Sequence, residues 1–293
     1  MDAGAMLEEE SARRRHIPLP VAVAGAVRAG RRAWDDDPEA RAAARRAIFA
    51  VCGIEHDDLA RAHLVEHAVR EELIWRAWDA PLGRWTGAEH LDAAIASRRG
   101  VVCSFVHSGP FPGVTAAIAS RTDRLHLVTG AWMFLPYEGD AESARTVRWL
   151  ANLQALPVTL VGNAGSYGAL ADALRAGDAV LTAFDAPGSR PTPFLRQTIR
   201  LASGTARLAV ETGALVVPIW RARERWRMRT VVGEPIEPGT DPDDLHERLA
   251  RVHSAWILAR PAALEDPTRE GWWGDRITLP SAPPALDFRA APT

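Results

Sequence analysis

The stretch "GVVCSFVHSGPFPG", residues 100–113, carries an apolar run from Val101 to Val106 that stops abruptly at a histidine followed by small residues and prolines. A short apolar run bounded by glycine and proline breaks is the sequence form of a buried strand of the parallel type. His107 then stands at the carboxyl end of that strand, the edge at which open α/β sheets hold their ligands.

The bulk composition sets bounds around this reading. The chain has 293 residues, 47% hydrophobic and 25% charged, which is globular composition with room for one large α/β domain or two smaller ones. A formal net charge of −2 leaves no electrostatic footprint for nucleic acid, so tRNA is disfavoured as a partner. Cys52 and Cys103 both lie in apolar surroundings and read as reduced, buried thiols. No metal-ligand spacing is present. The sequence contains no lysine, so all 35 basic residues are arginine. That excludes a Schiff-base lysine and a phosphate-loop lysine. Near the N-terminus, "RRRHIPLPVAVAGAV" has the charge and apolar order of a signal peptide. It follows an acidic "EEE", is interrupted by two prolines, lacks a cleavage site and is too short to span a bilayer. The expected location is cytoplasmic, with a peripheral position on the inner face of the cell membrane left open.

Working outward along the chain, residues 36–79 carry two helical patterns with acidic starts, so residues 1–86 read as a helical N-terminal section packed on the core. Residues 87–260 alternate strand and helix: strands "VVCSFV", "RLHLVTG", "PVTLVG", "DAVLTAF" and "ALVVPIW" are separated by patterns of ten to fifteen residues. Such alternation predicts an α/β fold with a mostly parallel central sheet covered by helices on both faces. Residues 185–201, "DAPGSRPTPFLRQTIRL", read as a loop. Residues 261–293, rich in proline and containing Trp272 and Trp273, read as an irregular C-terminal tail on the surface. The tryptophans at 75, 78 and 85 read as core.

Position alone leaves two readings of His107 open: a histidine satisfied by a backbone carbonyl, or a general base. Ser108, Gly109 and Gly113 allow close approach to the backbone, and Pro112 reads as the first residue of the next helix. The amides around Ser108 to Gly113 would then donate to a developing oxyanion while a neutral imidazole removes a proton. Asp185 ends its strand as His107 ends its own, and parallel strands place their ends on one edge, so the carboxylate is the candidate partner of the imidazole. The alternative for Asp185 is an Asx turn into "APG". Gly188, next in that loop, is a further candidate for substrate approach. Arg190, Arg196 and Arg200 follow Asp185, and Arg221 and Arg223 share one face of a later strand. Of these, Arg190, Arg221 and Arg223 are the candidates for binding a donor phosphate. Cys103 sits within the apolar run and reads as structural.

Four segments, "GAEHLDAAIASRRGVVCSFVHSG", "DALRAGDAVLTAFDAPG", "PFLRQTIRLASGTARLAVETGALVVPIWRAR" and "VVGEPIEP", resemble the lysophospholipid acyltransferase superfamily. Within it they resemble the branch of lipid A biosynthesis (lauroyl/myristoyl) and phosphatidylinositol mannoside acyltransferases. The resemblance runs from Gly87 to Pro238 and is most specific from Thr192 to Arg223. It implies transfer of an acyl group from a thioester, on coenzyme A or the phosphopantetheine arm of acyl carrier protein, to a hydroxyl, with a histidine base in an H-x4-D/E motif. His107 falls on that histidine. The motif's acidic position is held by Pro112 and the preceding Asn-Trp by Pro110-Phe111, so the usual orienting carboxylate is missing and Asp185 is its candidate replacement.

The resulting expectation is a thioester-dependent acyltransferase without a tightly bound cofactor or metal. It acts by direct transfer, because no activated serine or cysteine pattern accompanies His107. The partners are an acyl donor and a lipid or small-molecule acceptor, with a membrane surface as a further option. The altered motif keeps open a specialised-metabolite transferase acting on an amine or hydroxylamine, with a carrier-protein or tRNA donor. A thioesterase and a catalytically inactive lipid-binding homologue are the remaining alternatives.

Overall fold

The structure, a computed structural model, describes residues 12–76, 83–130, 141–265, 267, 268 and 273, with the side chains of 141–147 excepted. After a helical turn at 12–15, three longer helices follow: α1 (Leu19–Asp36), α2 (Pro38–Cys52) and α3 (Asp57–Ile74). The sheet is then built from β1 (Arg84–Thr86), β2 (Val101–Phe105), β3 (Leu125–Thr129), β4 (Val158–Gly162), β5 (Ala179–Ala183), β8 (Leu215–Glu224) and β9 (Arg227–Val232). Its order is β1-β9-β8-β2-β5-β3-β4. β8, β2, β5, β3 and β4 run parallel, and β9 turns back antiparallel on β8 with β1 beside it. Between the strands lie α4 (Ala88–Ala96), α5 (Val114–Ala119), α6 (Ala141–Gln154), α7 (Tyr167–Arg175) and α8 (Gly204–Thr212), and α9 (Pro242–Ala259) follows the sheet. The fold is α/β, with a mostly parallel central sheet, helices on both faces and a helical N-terminal section.

Alternation within fully buried strands explains why both faces are covered. On β2, Val101, Cys103 and Phe105 pack with Leu91 and Ala94 of α4, Val114 and Ile118 of α5 and Leu153 of α6. Val102 and Val106 face the other way, toward Leu170 and Leu174 of α7, Leu208 of α8 and Leu249 of α9. Burial pushes the Cys103 thiol up to about 12 and the Cys52 thiol up to about 11, so both stay protonated and inert.

Two details are added to the N-terminal section, and two expectations, the loop and the surface-laid tail, are corrected. The N-terminal apolar stretch is helix α1: Pro18 is its N-cap residue and Pro20 lies in the first turn, where proline costs no helical hydrogen bond. The N-terminal section is not wholly helical, since β1 pairs with β9. Residues 185–201 form an antiparallel hairpin, β6 (Pro187–Phe194) and β7 (Gln197–Leu201), not a loop. A ribbon of two strands has unpaired outer edges that tolerate prolines. The C-terminal segment is not surface-laid where it is described. Pro261–Ala263 is a 3-10 turn, Pro261 and Leu264 are buried, and Trp273 is fully enclosed. Trp78, Trp272 and residues 274–293 lie outside the described residues.

Helix α9 buries two histidines along its apolar stripe. The Trp220 indole donates to Nδ1 of His253 at 3.0 Å, so Nε2 bears the proton and donates to Ser104 Oγ at 3.0 Å. His246 pairs through Nε2 with Thr192 Oγ1 at 2.8 Å. Burial lowers His253 to about 3 and His246 to about 4, the latter helped by the charge of Arg190. The unfolded chain therefore takes up protons first, and stability present above pH 6.5 is lost as the pH falls toward these values. Each histidine is expected to cost about 2 kcal/mol between pH 7 and pH 5. Urea denaturation at the two pH values checks this: His246→Asn lessens the pH dependence by one such increment.

Candidate active site

Sheet register places the two polar strand ends opposite each other. Phe105 of β2 pairs with Ala183 of β5, and two residues further on each chain stand His107 and Asp185, on the same face as that pair. One oxygen of the Asp185 carboxylate accepts the His107 backbone N–H at 2.8 Å, and the other accepts the imidazole Nδ1–H at 2.8 Å. Asp185 is 0% exposed. The first contact fixes the carboxylate and the second fixes the ring tautomer, leaving the lone pair on Nε2. Phe105 and Phe111 hold the ring, with centroids 5.3 and 4.7 Å from it. Burial by itself pulls the imidazole down. The charge and hydrogen bond of Asp185 outweigh it, with Glu265 adding and Arg70 opposing, so His107 titrates above its ordinary value of 6.5.

His107 borders a cavity of about 380 Å³ that runs along the carboxyl ends of β2, β5 and β3. Its walls are chiefly apolar, among them Phe105, Leu127, Trp149, Leu170 and Leu208, with Thr182 of β5 and Thr205 at the start of α8. The two threonine hydroxyls bond each other at 2.9 Å. This volume and character suit a small-molecule or chain-like ligand with its reacting group at the imidazole. Among the described residues no cluster of three His, Cys, Asp or Glu side chains could hold a metal ion, and no helix is long and apolar enough to cross a membrane.

The other candidates make contacts within the chain. The amides of Ser108, Gly109 and Gly113 donate to the carbonyls of Val106, Ala263 and Pro110 at 2.7, 2.7 and 3.1 Å. Prolines 110 and 112 have no amide hydrogen, and residues 111–113 form a 3-10 turn ahead of α5. The amides of Ser108, Gly109 and Gly113 are therefore all engaged within the chain. Gly109 adopts φ +64°, and a Cβ there would lie 2.2 Å from the Arg221 carbonyl oxygen. Gly188 passes so close to β7 that a Cβ would lie 2.4 Å from the Ala202 nitrogen. Its small size serves the hairpin.

The three candidate arginines are likewise engaged elsewhere. Arg221 is buried, donates to the Gly113 carbonyl at 3.0 Å, and is pushed down to about 10 by desolvation. It braces the turn after His107. Arg190 pairs with Asp243, and Arg223 with Glu66 of α3. None of the three lines the cavity. Arg200 donates to the Ser189 carbonyl across the hairpin at 2.9 Å.

Sequence reasoning missed the contacts made from the two ends of the chain. Arg70 of α3 is buried near Phe111, with its guanidinium 6.0 Å from that ring. Glu265 donates its amide to the His107 carbonyl at 2.7 Å, and the Trp273 indole donates to the Asp185 carbonyl at 3.0 Å. The only sequence signal was a buried-type residue, tryptophan, in a proline-rich tail.

No family model and no curated protein matches the chain. Among solved structures it is similar to the 1-acyl-sn-glycerophosphate (LPA) acyltransferase PlsC from Thermotoga maritima. The identity is 14%, over 66% of this chain and 80% of that one, with a TM-score of 0.40.

Gly109→Ala and Gly213→Ala separate close packing from backbone strain. Both glycines have positive φ, but nothing lies within 4 Å of a Cβ at Gly213. Gly213→Ala is expected to cost about 1 kcal/mol and Gly109→Ala roughly 2 kcal/mol more, read from urea midpoints. Equal costs would mean that the turn at Gly109 yields freely.

Proposed function

We propose that this chain is an acyltransferase that moves an acyl group from a thioester, on coenzyme A or acyl carrier protein, to a hydroxyl or amine. The observation that carries the reading is the His107–Asp185 pair, with His107 bordering a largely apolar cavity. The resemblance of residues 87–238 to lysophospholipid acyltransferases agrees with it.

In this reaction the acyl chain lies in the cavity and the acceptor approaches Nε2 of His107. The acceptor oxygen or nitrogen attacks the thioester carbonyl carbon as Nε2 takes its proton. The carbon–sulfur bond then breaks, and the imidazolium returns the proton to the departing thiolate. Asp185 holds the ring and stabilises its protonated form, the task of the carboxylate that Pro112 displaces from the H-x4-D/E pattern. Direct transfer is supported by the state of the neighbouring nucleophiles. The Ser108 hydroxyl is buried without a hydrogen bond to His107, and the Cys103 thiol is held protonated.

The test is thiol release from a panel of acyl-CoA and acyl-carrier-protein thioesters, with pooled lipid alcohols and small amines as acceptors. Acceptor-stimulated release is expected in the native protein, reduced by about a thousandfold or more in His107→Ala. Release that ignores the acceptor would indicate a thioesterase, and equal release from both proteins would overturn the role of His107. The best acceptor identifies the branch of chemistry.

A further inference from the structure

The peptide oxygens of both members of the pair are tied by one segment that lies beyond the α/β core. The His107 carbonyl accepts the Glu265 amide at 2.7 Å, and the Asp185 carbonyl accepts the Trp273 indole at 3.0 Å. Just ahead of the first anchor, Leu264 bridges to Ser108 in antiparallel fashion, and Gly109 donates to the Ala263 carbonyl at 2.7 Å. The same segment is held from its other side by the N-terminal section. On α3, His63 and Arg70 stand seven residues apart and therefore on one helix face. His63 Nδ1 lies 3.2 Å from the Ala262 carbonyl, and Arg70 donates to the Ala263 carbonyl at 3.3 Å. Trp273 is 0% exposed and sets its ring edge-to-face on Phe194 of the β6–β7 hairpin, 5.6 Å between centroids.

We infer that residues 261–265 together with Trp273 form a clamp, docked on α3, that holds His107 and Asp185 in mutual register, with Trp273 and Glu265 as positioning residues. The paired residues of the ladder end at Phe105 and Ala183, and the Phe184 amide still donates to the Phe105 carbonyl at 2.7 Å, so the ladder stops short of His107 and Asp185 themselves. The clamp supplies the missing constraint by bonding the two peptide groups themselves. Its donors are a backbone amide and an indole, neither of which titrates, so the constraint persists across the working pH range. The charged groups facing the imidazole are Asp185 at the end of β5, Glu265 in the clamp and Arg70 on α3. Two of these three therefore come from the clamp and from the helix that holds it. The site is assembled only when α3 and the clamp are both in place.

The functional meaning of the clamp rests on the acyl-transfer reading; its existence does not, and amide exchange separates the two. The His107 N–H is bonded to the Asp185 carboxylate, so its hydrogen exchange reports the pair directly, in full-length protein without substrate. Trp273→Phe keeps an aromatic ring against Phe194 and removes only the indole donor. Exchange at His107 and Glu265 is expected to accelerate roughly tenfold or more, while the amides of β2 and β5 keep native protection. The imidazole Nδ1–H resonance, deshielded by the carboxylate, is expected to broaden in parallel. Trp273→Ala is expected to extend both effects. Unchanged exchange and an unchanged Nδ1–H signal in both variants would overturn the clamp. Uniform acceleration through β2 and β5 would equally overturn it, by making Trp273 an ordinary core residue. If the clamp is found but no thioester is turned over, the positioning stands and the reaction falls.

Discussion

Everything at this site depends on one buried carboxylate having a complete set of partners. A carboxylate as enclosed as that of Asp185 is tolerable only if its oxygens are hydrogen-bonded, because a buried polar group left without partners is costly. The His107 amide and imidazole meet that demand with one bond to each oxygen. The same two bonds set the ring's tautomer, its orientation and the upward direction of its titration. Structural necessity and chemical readiness are thus one arrangement.

The rest of the fold keeps those partners level. The parallel register of β2 and β5 brings the two strand ends to the same height, and apolar residues on both faces of the sheet hold that register. Arg221 props the turn behind His107 through the Gly113 carbonyl, at the cost of a buried guanidinium. The cavity occupies the space that the diverging strand ends and the helix starts leave between them, where parallel sheets commonly hold ligands.

The sheet, its parallel character and the placing of His107 and Asp185 at strand ends on one edge were legible in the sequence, because each depends on local signals: apolar runs of strand length, breaks after them, and polar residues at their ends. That the two side chains meet was not, since it depends on β5 lying beside β2. The β6–β7 hairpin was not. Its turn is Leu195–Arg196, with Leu195 at φ +59°, and carries no Asn-Gly signal, while three prolines disguise β6. Arg221 and Arg223 were read as ligand contacts because a strand face predicts which way a side chain points, but not which partner it meets there. Arg223 meets Glu66 from 157 residues away. The clamp was equally hidden: Trp273 reaches Asp185 across 88 residues, and no local pattern encodes such a contact. The acceptors of the amides after His107 were hidden for a related reason, since they include Ala263, in a segment read as tail.

The central claim is that His107 acts as a base whose titration Asp185 sets. The pH dependence of kcat/KM for acyl transfer, compared between the native protein and Asp185→Asn, tests it most directly. Because the carboxylate raises the folded pKa, the native rate is expected to climb with pH along a limb centred above 6.5. In Asp185→Asn that limb is expected at lower pH, with the plateau reduced by about a hundredfold or more. A limb at the same pH in both proteins, or an undiminished plateau in the variant, would contradict the account.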